Sequence, residues 1–339
     1  MKMKQFWFTE PGKTELIDVD IPEVGQNMVK VKVAYTAICA TDVHMVSMGV
    51  MGAKPPKPLG HEASGVIVEL GEGSGNYGFK VGDKVALSPV TNCGLCPMCK
   101  RGMHQYCQFA KETGAYAEFV VTHVSAIFKL PDDADLQKCC LVEPTTCSIR
   151  AMDLAQIRHG NTVAVSGVGG IGSIILNLIL LAGGAKVTAI DPGESKRQNA
   201  IALGAQYAID PFNEDVEKRA MEITGGVGFD YVFEASGAPC AAYTPLKILA
   251  HCGNAVYFAV FPPDFEMTLS LYDLFMKEAR IQAVFTQPAI VPRAIDIVPR
   301  LQLDKIIGKV LPLSDIAEGF ELFEKSIYPK IVIDCGQPG

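Results

Sequence analysis

Hydrophobic positions change period part-way along the chain. In the first third they alternate: Val29, Val31, Val33 and Tyr35 are separated by Lys30, Lys32 and Ala34, the two-residue period of a half-buried strand. Glycine-punctuated strands are predicted at 65–70 and 84–87. Beyond about Glu143 the pattern becomes short apolar runs between helical segments. A buried strand is expected at 162–166, then a glycine turn, then a long apolar helix at 171–181. The alternation continues with a strand at 186–190, a helix at 194–203, a strand at 207–209, a helix near 216–223, a strand at 231–234, a helix near 240–250 and a strand at 254–260. Strands alternating with helices predict a parallel, doubly wound sheet. After about Ala289 the pattern reads helix, loop, helix and a last strand at 331–334.

The length, 339 residues, predicts about two domains. Thirty basic against 37 acidic residues leave a net charge of −7, which argues against a nucleic-acid partner. No apolar run reaches the roughly 18–20 residues of a membrane span; the longest, 174–182, is interrupted by Asn177 and ends at Gly183 and Gly184. Residues 1–12 lack the apolar stretch of a signal peptide, so a cytoplasmic location without membrane association is expected. Eleven cysteines include four within 15 residues. In a reducing compartment such crowding indicates metal rather than disulfides.

Gly167-Val168-Gly169-Gly170-Ile171-Gly172 fits the G-x-G-x-x-G pattern and lies between a predicted strand and a predicted helix. Gly167 permits the tight turn, Gly169 lets backbone approach a pyrophosphate, and Gly172 lets the helix pack close to the strand. The helix N–H groups, from Gly170 and Ile171 onward, then face the phosphates. Asp191 ends the second strand, where a carboxylate accepts hydrogen bonds from the adenosine ribose and repels a 2′-phosphate, favouring NAD over NADP. Lys196 and Arg197 either soften that preference as cofactor contacts or are solvated helix residues.

Cys93, Cys96, Cys99 and Cys107 can close a tetrahedral zinc site with no open position, hence a structural one; an iron–sulfur site is the other chemistry such thiolates allow. Lys100 and Arg101 lie inside the loop and can offset the excess negative charge. Cys39, His61 with its neighbour Glu62, and Glu143 are dispersed. A catalytic zinc needs three such ligands and one free position, but spacing alone does not join these residues, and a buried His or Glu is also an ordinary core polar group.

With these residues in view, the chain resembles the zinc-dependent medium-chain dehydrogenases that act on alcohols, polyols and threonine. The likeness runs nearly end to end: Cys39-Ala40-Thr41-Asp42-Val43-His44, Gly60-His61-Glu62, the four-cysteine lobe, Glu143-Pro144, the glycine turn, Glu234-Ala235-Ser236-Gly237, and 303–304 through 331–334. The resemblance implies an α/β fold in which a GroES-like β-rich catalytic domain (1–147 and 288–339) is split around a Rossmann domain (148–287). It implies two zinc ions per chain and NAD. Cys39, His61 and Glu143 match the catalytic zinc ligands. Glu62 matches a glutamate beside the metal that binds it directly or exchanges with water, Asp42 the carboxylate that orients the histidine, and Thr41 and His44 a proton relay from a small-molecule alcohol to solvent. Lys330 matches a basic residue near the cofactor pyrophosphate. A homodimer or homotetramer joined through Rossmann sheet edges is implied, and 281–285 is where such an edge is expected. Cys147, just past Glu143, is expected either to pack in the core or surface like the other remaining cysteines or to line the nicotinamide pocket. Two departures stand out: Ala40 replaces a glycine common in relatives, and 88–92 lacks a histidine associated with threonine dehydrogenases. A glutamate in place of a second cysteine ligand resembles the polyol branch, so the expected reaction is oxidation of a secondary hydroxyl of a polyol, sugar acid or cyclitol to a ketone. A threonine-like amino-hydroxy acid dehydrogenase and a nonenzymatic NAD-binding sensor are the competing readings; a zinc-free enone reductase lacks both cysteine and histidine clusters.

Overall fold

The computed structural model describes residues 1–286 and 290–336. The expected boundary at 287/288, like Ala289, lies outside them. The described chain forms two compact units, one of residues 1–146, 290–300 and 307–336, the other of 147–286 and 301–306.

The first unit is β-rich. Lys2–Glu10 pairs antiparallel with Lys13–Asp20 and with Lys57–Pro58. A larger sheet runs in the order Ile127–Lys129, Lys84–Leu87, Glu62–Leu70, Met28–Ala37, Lys330–Asp334, Ile307–Pro312, with Phe119–His123 also on Met28–Ala37. Val29, Val31 and Val33 are fully buried, so the alternation seen in the sequence is the core-facing side of the central strand. Phe6, Tyr116 and Phe320 close this core, with ring centroids 5.0–6.3 Å apart. On Met28–Ala37, Ala37 is opposite Glu62 in one neighbour and Val332 in the other. That register brings two distant parts of the sequence to one end of the sheet. Ile307–Pro312, expected as loop, is a strand. Only Leu311 of it is buried, and parallel pairing with Lys330–Asp334 gives it its conformation.

The second unit is a six-stranded parallel sheet ordered Tyr207–Ile209, Lys186–Ile190, Thr162–Ser166, Phe229–Glu234, Leu249–Tyr257, Arg280–Ala283. This 3-2-1-4-5-6 order reverses between Thr162–Ser166 and Phe229–Glu234, and ligands of such sheets bind at the carboxyl ends of the strands flanking that reversal. The helices Gly170–Leu181, Glu194–Leu203 and Val216–Thr224 fall where their periodicity placed them. The long helix expected near 240–250 does not form. Pro239 and Pro245 divide the segment into Pro239–Ala241 and Thr244–Lys247, since proline begins a helical turn more readily than it continues one, and the next strand starts at Leu249. Residues 301–306 belong to this unit for a local reason. Asn177, the polar interruption of the apolar helix, is buried and accepts from the Gln302 N–H at 3.3 Å. Gln302 and Lys305 side chains donate to the Leu203 and Ala202 carbonyls.

Candidate metal centres and dinucleotide crevice

In the first unit, Cys39 immediately precedes the helix Ala40–Met48, and His61 immediately precedes the strand Glu62–Leu70. Cys39, His61 and Glu62 each offer one ligand atom to a group whose members lie within 4.8 Å of one another. Glu143 is not in that group; it is buried in the first turn of Val142–Ala155. The gathered group thus holds Cys39, His61 and Glu62 of the four residues expected at the catalytic zinc.

His61 is oriented from behind. Its Nδ1 lies 3.3 Å from Asp42 Oδ2, which leaves Nε2 to point at a cation. Asp42, buried in the first turn of Ala40–Met48, accepts from the Gly60 N–H at 3.2 Å and from the Tyr116 hydroxyl at 2.6 Å. The same phenol oxygen receives the Cys39 N–H at 3.4 Å and lies 3.2 Å from the Ala37 carbonyl. Tyr116 thus ties both ligand-bearing segments together, a role no sequence periodicity signals. Burial disfavours the charged form of Asp42, but the charge and hydrogen bond of His61, with Tyr116 and Gly60, hold its carboxyl below the ordinary value. Burial likewise disfavours an imidazolium, yet Asp42 and Cys39 raise His61 well above its ordinary value near 6.5. The pocket calls for a positive charge at this place, and a donor set of one sulfur, one imidazole and one carboxylate suits Zn²⁺.

Thr41 and His44 sit three residues apart on Ala40–Met48, a spacing that shares a helix face. His44 is half-buried; burial lowers its pKa below 6.5, and its buried Nδ1 has no hydrogen-bond partner among the described residues. A neutral imidazole with a vacant nitrogen is equipped to accept a proton.

Lys330 departs from expectation. Its Nζ lies 2.7 and 2.6 Å from the two oxygens of Glu62, and both side chains are nearly inaccessible to solvent. Burial works against the ammonium, but the Glu62 and Cys39 charges raise its pKa, so it remains charged. The ammonium expected at a cofactor pyrophosphate is instead committed to the carboxylate of the Cys39–His61–Glu62 group, because the two strands carrying Lys330 and Glu62 flank Met28–Ala37.

The four-cysteine lobe is a second centre. Sγ atoms of Cys93, Cys96, Cys99 and Cys107 lie within 4.8 Å of one another, with Cys93 and Cys99 at 4.0 Å, near the roughly 3.8 Å that tetrahedral zinc–thiolate bonds require. All eleven cysteines are free thiols. The N–H groups of Cys99 and Gln108 lower the Cys96 thiol to about 6, whereas burial and the neighbouring sulfurs push Cys99 up to about 12. The donor set fits a closed structural zinc.

In the second unit the glycine turn lies at the sheet's reversal point. Gly167 has φ +86°, and a Cβ there would meet the Ser236 backbone at 2.6 Å. A Cβ on Gly172 would come within 1.9 Å of the Gly167 carbonyl, while one on Gly169 would meet nothing within 4 Å. The turn is therefore closed on its protein side and open at Gly169, in front of the free N–H groups of Gly170, Ile171 and Gly172. Glu234 supports it from the next strand, its buried carboxylate accepting the Ser236 and Gly237 N–H groups at 3.0 and 3.1 Å. Asp191 Oδ2 accepts from the Val168 N–H at 3.0 Å and Oδ1 from the Gly193 N–H at 2.8 Å, which fixes the carboxylate at the lip of the turn. These residues fit a dinucleotide. Arg197 is neither a free cofactor contact nor a solvated helix residue: its guanidinium binds the Asp191 and Pro192 carbonyls and the Asp210 carboxylate. Cys147 Sγ lies 3.3 Å from Thr286 Oγ1 within the same unit.

Residues 25–132 match the alcohol dehydrogenase GroES-like domain, and residues 170–299 match the zinc-binding dehydrogenase domain. An L-threonine 3-dehydrogenase of Pyrococcus horikoshii is 34% identical over 270 residues, covering 77% of each chain. The chain belongs to the zinc-dependent medium-chain alcohol and polyol dehydrogenase family. A sorbitol dehydrogenase of Halalkalibacterium halodurans is 32% identical over 267 residues, again 77% of each. Among solved structures, a Clostridium scindens protein assigned as a zinc-binding dehydrogenase superposes with a TM-score of 0.93 at 34% identity, covering 98% of this chain and 99% of its own. A Sinorhizobium meliloti protein of the same assignment, bound to NADP, gives 0.92 at 28% identity with the same coverage.

As a medium-chain dehydrogenase, the protein is an oxidoreductase of alcohols or polyols, with a GroES-like and a Rossmann part. Ala40, the departure from the common family glycine, opens a helix and is not among the positive-φ residues, so its methyl group meets no backbone penalty. No helix among the described residues is long and apolar enough to cross a membrane.

Proposed function

We propose that this dehydrogenase oxidises a secondary hydroxyl of a polyol, sugar acid or cyclitol to the ketone, reversibly, with NAD and two zinc ions per chain. The observation that carries the reading is the mixed donor set at Cys39, His61 and Glu62. A thiolate, a neutral imidazole and a carboxylate are donors that suit a zinc ion. Glu62 supplies the carboxylate, with Glu143 as the second candidate, and Cys93, Cys96, Cys99 and Cys107 hold the structural zinc. Zinc bound at the first centre supplies Lewis acidity to a substrate hydroxyl, and NAD supplies the hydride acceptor. Asp42 and Tyr116 keep His61 in one orientation and tautomer. Lys330 pairs with both carboxylate oxygens of Glu62 and fixes their position. Thr41 and His44 move the hydroxyl proton outward, His44 as the neutral acceptor. Gly167, Gly169, Gly170, Ile171, Gly172 and Asp191 hold the dinucleotide.

A cytoplasmic homodimer or homotetramer is part of this reading. Arg280–Ala283 is the edge strand of its sheet, with Ile281 and Phe285 exposed and with Leu271, Tyr272 and Phe275 exposed on the preceding helix. The test is production of reduced nicotinamide from a panel of polyols, sugar acids, cyclitols, simple alcohols and L-threonine, with and without a zinc chelator. Chelator-sensitive turnover of one polyol stereoisomer is expected. Turnover of L-threonine alone would favour the amino-hydroxy acid reading that the Pyrococcus relative supports. No turnover anywhere, with zinc bound, would overturn the substrate class.

A further inference from the structure

The turn after Lys186–Ile190 decides which adenosine ribose the crevice admits. Asp191 is 5% exposed and pinned by two backbone N–H groups, so it cannot swing away from a 2′-phosphate. Admitting that phosphate then requires a cation at the same turn. Lys196 and Arg197 of Glu194–Leu203 are the cations at this turn, and both Nη groups of Arg197 are engaged. Nη1 donates to the Asp191 and Pro192 carbonyls, both at 2.7 Å. Nη2 lies 2.9 Å from Asp210 Oδ2. Asp210, just beyond Tyr207–Ile209, is itself held: its carboxylate accepts from the Phe212 N–H and the Asn213 side chain, both at 3.0 Å, and its own N–H donates to Glu214 at 2.8 Å.

We propose that Asp210 is a specificity-determining residue for the nicotinamide cofactor: it neutralises and anchors Arg197, so that Arg197 cannot balance a 2′-phosphate placed against Asp191. The inference rests on the reading that the glycine turn binds NAD. It assigns the discrimination to two strands' ends acting together, with Asp191 repelling and Asp210 withholding the compensating charge. Asp210 itself is not placed against the cofactor.

The test is direct binding of NADH and NADPH, followed by nicotinamide fluorescence, to the wild-type protein and to Asp210→Asn, Arg197→Gln and the double variant. Asparagine keeps an acceptor for the Phe212 N–H while removing the charge. The wild type is expected to bind NADH much more tightly than NADPH. Asp210→Asn is expected to narrow that ratio by about tenfold, the effect of one uncompensated charge near a phosphate, through tighter NADPH binding, with NADH affinity within about threefold of wild type. Arg197→Gln alone should leave the ratio within about twofold, and adding Arg197→Gln to Asp210→Asn should restore the wild-type ratio. An unchanged ratio in Asp210→Asn, the same narrowing in the double variant, or weaker NADPH binding in Arg197→Gln alone would each overturn the proposal. Failure of the wild type to bind NADH would instead overturn the underlying NAD reading. If Asp210→Asn fails to fold, the Arg197→Gln result still decides, because a serving arginine would lose NADPH affinity and an anchored one would not.

Discussion

Replacing Lys330 by methionine removes one partner of a buried ion pair and leaves the other in place. The Nζ–carboxylate separations of 2.6–2.7 Å correspond to an attraction of about 6 kcal/mol at an effective dielectric constant near 20. Withdrawing two ions from water costs several kcal/mol for each, so the intact pair is close to neutral for stability. Breaking it is not: Glu62 then stays buried without its counter-ion, which costs about 3–5 kcal/mol. Lys330→Met is therefore expected to destabilise the first unit by that amount, and Lys330→Met with Glu62→Gln to recover most of it. Trp7 is the chain's single tryptophan and lies on Lys2–Glu10, with its indole N–H on Gln5. Its fluorescence during urea unfolding of the metal-free protein reports the first unit. A loss below about 1 kcal/mol in the single variant, or no recovery in the double, would refute the reasoning.

Three further outcomes follow from the geometry of Tyr116, the four-cysteine lobe and Asp83. Tyr116→Phe removes a donor to Asp42 and an acceptor of the Cys39 N–H; zinc at the first centre should pass to a chromogenic chelator about tenfold faster, and an unchanged rate would show that Asp42 needs no support. In the four-cysteine lobe, backbone order is limited to Pro97–Lys100, His104–Tyr106 and the pair Val90–Thr91 with Lys111–Glu112, so metal removal should expose residues 93–109 to proteolysis while the sheets persist. Equal cleavage with and without metal would mean that packing alone orders the lobe. Finally, burial raises the Asp83 carboxyl, but the Lys129 ammonium at 2.9 Å and the Lys80 N–H bring it below its ordinary value of 3.8. Its stabilisation is full above that value and lost as pH falls through the lower folded-state value. Asp83→Asn should therefore lower the urea midpoint at pH 7, with the gap closing in strong acid; a gap independent of pH would contradict the linkage.

Local signals in the sequence carried the second unit almost completely. Thr162–Ser166, Lys186–Ile190 and the helices between them are each set by a run whose period matches one element, and the glycine turn needs only its two neighbours to be recognised. Elements fixed by distant partners were not legible. Ile307–Pro312 is a strand only because Lys330–Asp334 lies beside it. The segment near 240–250 has a helical apolar pattern, and two prolines override it. At the site, the four-cysteine lobe shows its chemistry in residue type and spacing, whereas Cys39 and His61 are legible only through the family resemblance. Tyr116 reads as one more aromatic in a strand-rich stretch, and Lys330 as a cation for the cofactor pyrophosphate, until sheet register sets them against Asp42 and Glu62. Arg197 shows the same limit: its identity suggests a phosphate contact, and only Asp210, on the next strand's end, shows that its charge is already matched.

The register that joins Lys330 to Glu62 spans 268 residues of sequence, and this imposes an order on biosynthesis. While the chain is being made, the second unit has all of its strands once Arg280–Ala283 has emerged. Residues 35–37 of Met28–Ala37 must meanwhile wait with one edge unpaired until Lys330–Asp334 arrives. Long-range pairing of this kind is slow to form and leaves an open strand edge during the delay. Over that interval the nascent chain presents Glu62 without its counter-ion beside an incomplete sheet. It is then that this protein depends most on being shielded from its own copies.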